Sequence, residues 1–290
     1  MIDIKTKDLK KDCQSVFKRL TKNKLAFLGF IIILLFVLVG IFAPYLAPNN
    51  PNKLNLEHRL SLPTVNYPFG TDHLGRCVFS RIIYGTRISI FTSLLMLFVI
   101  IFISVPVGIV SGYIGGKVDS IIMRIIDVFL AFPSILLAIV IAGFLGPSLV
   151  NTMIALASVW WVRYVRVIRG KVLSIKQKDF IIANKACGTS DLNIIIRHII
   201  PNISSTIIVL ATIDMGELIL SLSGLSFLGL GAQPPTPEWG VMLSESRDYM
   251  QVASWGMIFP GATIMTASLA FNLFGDGLRD VLDPRSGIKR

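Results

Sequence analysis

Asp214 and Glu217 stand inside a long apolar stretch of this 290-residue chain. An acid at the centre of a membrane helix costs roughly 2.5–3.5 kcal/mol, so such groups face protein or water rather than lipid. Asp214, Glu217, Ser221 and Gly224 fall at i, i+3, i+7 and i+10, along one side of a helix. Two kinds of chemistry suit such a stripe: a polar lining for a solute route, or an interhelical ion pair with a basic group on a neighbouring span. Elsewhere, Arg163, Arg166 and Arg169 recur every third residue and read as interface anchors with snorkelling stems. Arg124 and Asp127, three apart, read as a local ion pair, and Pro133 predicts a kink just beyond them.

Nothing else offers catalysis. His58, His73 and His198 all fall outside the apolar stretches. There is no H-E-x-x-H, G-x-S-x-G, P-loop or dinucleotide fingerprint, and Ser221 has no histidine partner. The reading is a transport component, not an enzyme. Cys13, Cys77 and Cys187 cannot build a disulfide framework.

The elements that position the acids follow from composition. Apolar residues make up 53% of the chain and charged ones 16%, against about 25% charged in an ordinary soluble domain. Mean hydropathy is +0.70. A soluble enzyme, a nucleic-acid-binding module and a disordered chain are excluded, and a lipid-facing exterior is required. Uncharged stretches near 25–43, 88–110, 128–146, 149–162, 203–213 and 254–275 give six spans. With the N-terminus inside, 22 of the 28 basic residues lie on one side, leaving Lys53, Arg59, Arg76, Arg81, Arg87 and Arg247 for the other. The positive-inside rule then places both termini in the cytoplasm. The net charge of +11 is topological, and no nucleic acid is expected as a partner.

Residues 1–24 carry eight basic residues and an apolar stripe (Leu9, Cys13, Val16, Phe17, Leu20), the pattern of an amphipathic elbow helix on the cytoplasmic membrane surface. A first transmembrane helix over 25–45, with Pro44 near its end, precedes an extracytoplasmic segment, 46–86, that opens with helix-breaking Pro48 and Pro51. A core of five helices follows over 87–276, with a cytoplasmic tail at 277–290. Within the core, the loop 170–201 is long, charged and helix-forming before Gly188, which makes it a docking candidate.

That loop carries a resemblance. Residues 179–202, Asp-Phe-Ile-Ile-Ala-Asn-Lys-Ala-Cys-Gly-Thr-Ser-Asp-Leu-Asn-Ile-Ile-Ile-Arg-His-Ile-Ile-Pro-Asn, resemble the EAA loop of the integral membrane subunits of binding-protein-dependent ABC importers. Ala183, Gly188 and Pro201 keep the family register, while Ile182 stands at the Glu position and Asn184 at the second Ala. Phe69-Gly70-Thr71-Asp72-His73-Leu74-Gly75-Arg76, with Ser80-Arg81 and Gly85-Thr86-Arg87, is similar to the external segment of the dipeptide/oligopeptide/nickel permease group; Cys77 stands where Asp is usual. Leu225–Gly231, Pro234-Pro235-Thr236-Pro237, Trp239-Gly240, Phe271-Asn272-Leu273 and Leu282-Asp283-Pro284-Arg285 resemble later motifs of that group. The chain is identified as a C-type subunit.

The resemblance implies an all-α type I ABC importer permease fold of six transmembrane helices in a bacterial cell membrane. It implies a second, homologous permease as heterodimer partner, two ATPase subunits and an extracytoplasmic solute-binding protein. The chain itself would bind no cofactor, ATP and magnesium belonging to the ATPases. Ala183, Asn184, Lys185, Ala186, Gly188 and Pro201 would form the ATPase-coupling loop, and Asp214, Glu217 and Ser221 the candidate translocation path. Asp214-Met215-Gly216 and Ala270-Phe271-Asn272-Leu273 look like the nickel-type members, and Leu222 stands where peptide members usually carry Glu. The expected cargo is therefore nickel or a related metal, with di- or oligopeptide as the alternative. The spans supply no His or Cys for a bare metal ion, so a metal cargo would travel as a metal–metallophore chelate.

Overall fold

A computed structural model describes residue 21 and residues 23–282. Almost all of the elbow helix expected over 1–24, and the tail beyond 282, lie outside the described residues. The described residues form helices α1 (Lys24–Ile41), α2 (Val78–Ile114), α3 (Gly116–Leu130), α4 (Ser134–Leu145), α5 (Leu149–Lys176), α6 (Asp179–Ala186), α7 (Ile200–Phe227), α8 (Trp239–Ser246) and α9 (Trp255–Leu282). The sole β pairing among them is an isolated bridge between Thr71 and Cys77.

Four helical segments are long and apolar enough to cross a membrane, or five if the bent pair α3–α4 counts as one. The expected count of six is not reached by length and composition because α5, although 28 residues long, carries Arg163, Arg166, Arg169, Lys171 and Lys176. Helix boundaries also differ from those expected. α2 begins at Val78 rather than near 88 and runs for 37 residues, about 55 Å at 1.5 Å per residue, well beyond the ~30 Å hydrocarbon core of a bilayer. α5 continues to Lys176, so the connection to the next helix is shorter than 170–201. α9 runs to Leu282, past the expected start of the tail at 277. Polar residues at these ends ended the apolar stretches without ending the helices.

Sequence explains the local breaks. α1 is apolar on every side, as a lipid-facing helix must be, and Asn23 Oδ1 caps it by accepting from the Ala26 amide at 3.3 Å. Pro133 produces more than a kink: α3 and α4 meet at 86° across Ala131–Pro133, because the residue before a proline is driven out of helical geometry.

α2 packs most extensively on α5. A Cβ at Gly108 would sit 2.8 Å from Ile168, and one at Gly112 2.9 Å from Val172. The four-residue spacing of these glycines lets the backbones approach as small residues do in membrane helices. α7 packs against α9, and α9 against α1. The core gathers Leu156, Tyr164, Ile168, Met215, Leu218 and Trp239 where these helices converge. One end of the bundle holds α6 and the termini of α2 and α5. The other holds α8 and the 47–77 segment, where Phe69 stacks on Phe259 at 3.9 Å and Trp255 Nε1 donates to Thr71 O at 3.1 Å.

Candidate functional site

The candidate coupling loop is built around α6. Asp179 opens it and Lys185 closes it, each at the helix end its charge favours. Ile181 is buried and anchors the helix, whereas Phe180, Ile182, Ala183, Lys185 and Ala186 are exposed. Asn184 Nδ2 donates to Phe180 O at 2.7 Å. Gly188 has φ +76, with its amide donating to Lys185 O (3.1 Å) and that of Thr189 to Asn184 O (3.1 Å). This pair of bonds is a Schellman cap, which requires the left-handed conformation that glycine adopts without strain. No atom lies within 4 Å of the position a Cβ would take there, so backbone conformation rather than space selects glycine.

Pro201 stands in the first turn of α7, the helix position that proline favours. A short helix from Asp191 and a π-turn, Ile195–Ile199, lead directly into it. A widened turn of this kind is where a helix tolerates a residue without an amide donor. Sequence reasoning missed the clamp that holds the loop. Tyr113 Oη, at the end of α2, donates to Asp191 Oδ1 at 2.5 Å, and Lys176 Nζ donates to Tyr113 O at 2.6 Å. Both ends of the loop are thus tied to α2, and no spacing in the sequence signals contacts that distant.

The acidic stripe lies halfway along α7. Asp214 is 0% exposed, Ser221 is half-buried, and Glu217 is 59% exposed, so the stripe turns from the α5 contact toward an open face. Arg163, halfway along α5, places Nη1 3.2 Å from Asp214 Oδ1 and 3.5 Å from Glu217 Oε2. Arg163 is therefore the counter-charge of the stripe, not a free anchor. Neither Asp214 oxygen makes an aligned hydrogen bond, so the contact with Arg163 is an ionic one.

The other two arginines of α5 are also paired. Arg166 Nη2 meets Asp127 Oδ1 at 2.6 Å, replacing the expected Arg124–Asp127 pair. Arg169 makes two bonds to Asp119, of 2.5 and 2.6 Å. The reason is packing: α3 and α7 each bring acids against α5, which its own sequence cannot reveal.

At the opposite end lies a second charged cluster. Arg76 Nε donates to Asp72 Oδ2 (2.6 Å), Arg76 Nη2 to Glu245 Oε1 (2.8 Å) and Arg81 Nη2 to Glu245 Oε2 (2.7 Å). The two arginines and Asp72 are buried. Beside it, buried Glu238 caps α8 by accepting from the Val241 amide at 3.0 Å and takes a hydroxyl bond from Ser89 at 3.1 Å. Burial pushes the Glu238 carboxyl above the usual range, opposed by the Gly240 and Val241 amides. Asp72, Arg76 and Arg81 belong to the external motif noted in the sequence; Glu245 carried no signal. Cys77 is 2% exposed and Cys187 exposed, both as free thiols.

Residues 104–287 match the family described as binding-protein-dependent transport system inner membrane component. The chain belongs to that family. Residues 13–63 match the N-terminal TM domain of oligopeptide transport permease C, which marks the permease as a C-type subunit of the dipeptide/oligopeptide/nickel group. It is similar to the dipeptide transport system permease protein DppC of Alkalihalophilus pseudofirmus, 47% identical over 272 residues, covering 94% of this chain and 90% of the relative. The DppC protein of Haemophilus influenzae is 43% identical over 270 residues (91% and 92%). The nickel transport system permease protein NikC of Escherichia coli is 38% identical over 257 residues (89% and 93%). The permease is thus a multi-pass subunit of an ABC importer in the bacterial inner membrane. It is a transport component rather than an enzyme, and its family implies ATPase partners and a binding protein.

Proposed function

We propose that this permease pairs with a second, homologous permease and conducts di- or oligopeptides, with Glu217, Ser221 and Arg163 lining the path and Asp214 holding Arg163 in place. The observation that carries this reading is the mixed sign of the cluster. A peptide brings an ammonium and a carboxylate, which a half-exposed carboxylate and guanidinium can each receive. A bare cation in the same place would meet Arg163, which disfavours free nickel as the cargo. The higher identity to the two DppC proteins than to NikC supports the same choice.

In this reading α6 docks in an ATPase groove through its exposed face, and the Tyr113–Asp191 and Lys176 contacts carry ATP-driven closure into α2 and α5. ATP and magnesium stay on the ATPases. Uptake into vesicles holding the assembled importer tests the cargo. Labelled dipeptide should accumulate and be competed by unlabelled di- and tripeptides; uptake of a nickel chelate that excess peptide leaves untouched would refute it. Gly188→Val tests the coupling loop: assembly should persist while ATP-dependent uptake is lost, because the left-handed turn costs roughly 1–2 kcal/mol for a residue with a Cβ.

A further inference from the structure

A cavity of about 650 Å³ between α1, α2 and α9 is lined almost wholly by apolar side chains such as Ile32, Phe36 and Phe259, and nothing in the structure shows what covers it. A cavity of about 630 Å³ between α5, α7 and α9 is different in kind. It runs from Arg163 and Ile213, midway along their helices, to Lys178, Asn202 and Arg279 at the end holding the coupling loop. Its lining includes no acidic side chain and four basic ones, of which Arg163 is already paired with Asp214 and Glu217 while Lys171, Lys178 and Arg279 are not in any ion pair among the described residues.

From this lining we infer that the cavity is a binding site for the phosphate headgroup of an anionic membrane lipid. Elsewhere on α5 the protein neutralises its own arginines, Arg166 with Asp127 and Arg169 with Asp119. Lys171 and Arg279 have no ion-pair partner among the described residues, and Lys178 has only the face of Phe180, 6.0 Å away. Two hydroxyls at the same level, Ser205 and Thr206, line the cavity and make no hydrogen bond among the described residues. Unpaired cations beside free hydroxyls form a donor set suited to phosphate oxygens.

The rest of the lining selects a lipid over a free anion. Val167, Val209, Leu210 and Ile213 make an apolar wall that continues from the basic end toward the middle of the bundle. A headgroup at the basic end would place an acyl chain along that wall. The basic end is also the one that the basic-residue count assigns to the cytoplasm, where basic pockets between membrane helices meet anionic headgroups. A passing peptide carboxylate would satisfy the cations but leave the apolar wall without a purpose.

Native mass spectrometry of the assembled importer, exchanged into phosphatidylglycerol or phosphatidylcholine, tests the assignment. Phosphatidylglycerol should be retained in preference. The double variant Lys171→Gln/Arg279→Gln should lose retention by about fivefold per charge removed, the factor expected for a basic residue at an anionic surface. The charge-preserving Lys171→Arg/Arg279→Lys should keep it, which separates loss of the site from misfolding. Equal retention of both lipids, or unchanged retention in the neutral variant, overturns the proposal. Displacement of the lipid by inorganic phosphate alone would mark a free-anion site and overturn it too. So would loss of peptide uptake in the neutral variant with lipid retention intact, which would assign the cavity to the solute route.

Discussion

At the end of the bundle that carries α8, Asp72, Arg76, Arg81 and Glu245 are packed together and bonded to one another at 2.6 to 2.8 Å. Halfway along α5 and α7, Arg163 is 51% and Glu217 59% exposed, Asp214 alone is buried, and the contacts lengthen to 3.2 and 3.5 Å. Both clusters are built from arginine and carboxylate. The first satisfies its charges internally and joins the 72–81 segment to α8, as a structural tie does. The second leaves a guanidinium and a carboxylate half-exposed, at longer distances, where in our proposal a solute takes their place. Burial and alignment, rather than residue type, separate this fastening from the route we propose.

The largest effect should follow from breaking the tie. Glu245→Gln leaves Arg76 and Arg81 buried with one counter-charge between them, and removing one partner of a buried pair costs about 3–5 kcal/mol. Thermal unfolding of the purified importer should show a pronounced drop in midpoint together with low yield. A midpoint like that of the wild type would erase the contrast between the clusters.

A smaller effect sharpens the contrast along α5 itself. Arg169 is largely buried and doubly bonded to Asp119, so Arg169→Gln should cost about 1.5–3 kcal/mol, the range for hydrogen bonds to charged groups. Arg166 and Asp127 are both more than half exposed, and Arg166→Gln should cost only ~0.2–1 kcal/mol. The same unfolding assay should rank them in that order; equal losses would show that exposure does not govern these pairs.

Much of this fold was legible in the sequence because lipid imposes long uncharged runs, and Pro133, Gly188 and the loop register mark breaks by backbone chemistry alone. Helix ends were misjudged where polar residues continue a helix, as at Val78 and Lys176. The partners of the charged residues were illegible for a different reason. Asp119, Asp127 and Asp214 reach α5 from other helices, and Glu245 reaches Arg76 across 169 positions; periodicity speaks only of a helix's own faces. The stripe at Asp214, Glu217 and Ser221 was visible, but that Asp214 is buried and Glu217 exposed depends on where α5 packs.

The most direct test of the path is Glu217→Gln in the assembled importer, with thermal stability and peptide uptake measured on the same preparation. Because Glu217 is exposed and its contact with Arg163 is loose, stability should stay within about 1 kcal/mol of the wild type, while uptake falls severalfold or shifts toward peptides with a blocked amino terminus. Unchanged uptake, or uptake and stability falling together, would contradict the assignment of this face to the solute route.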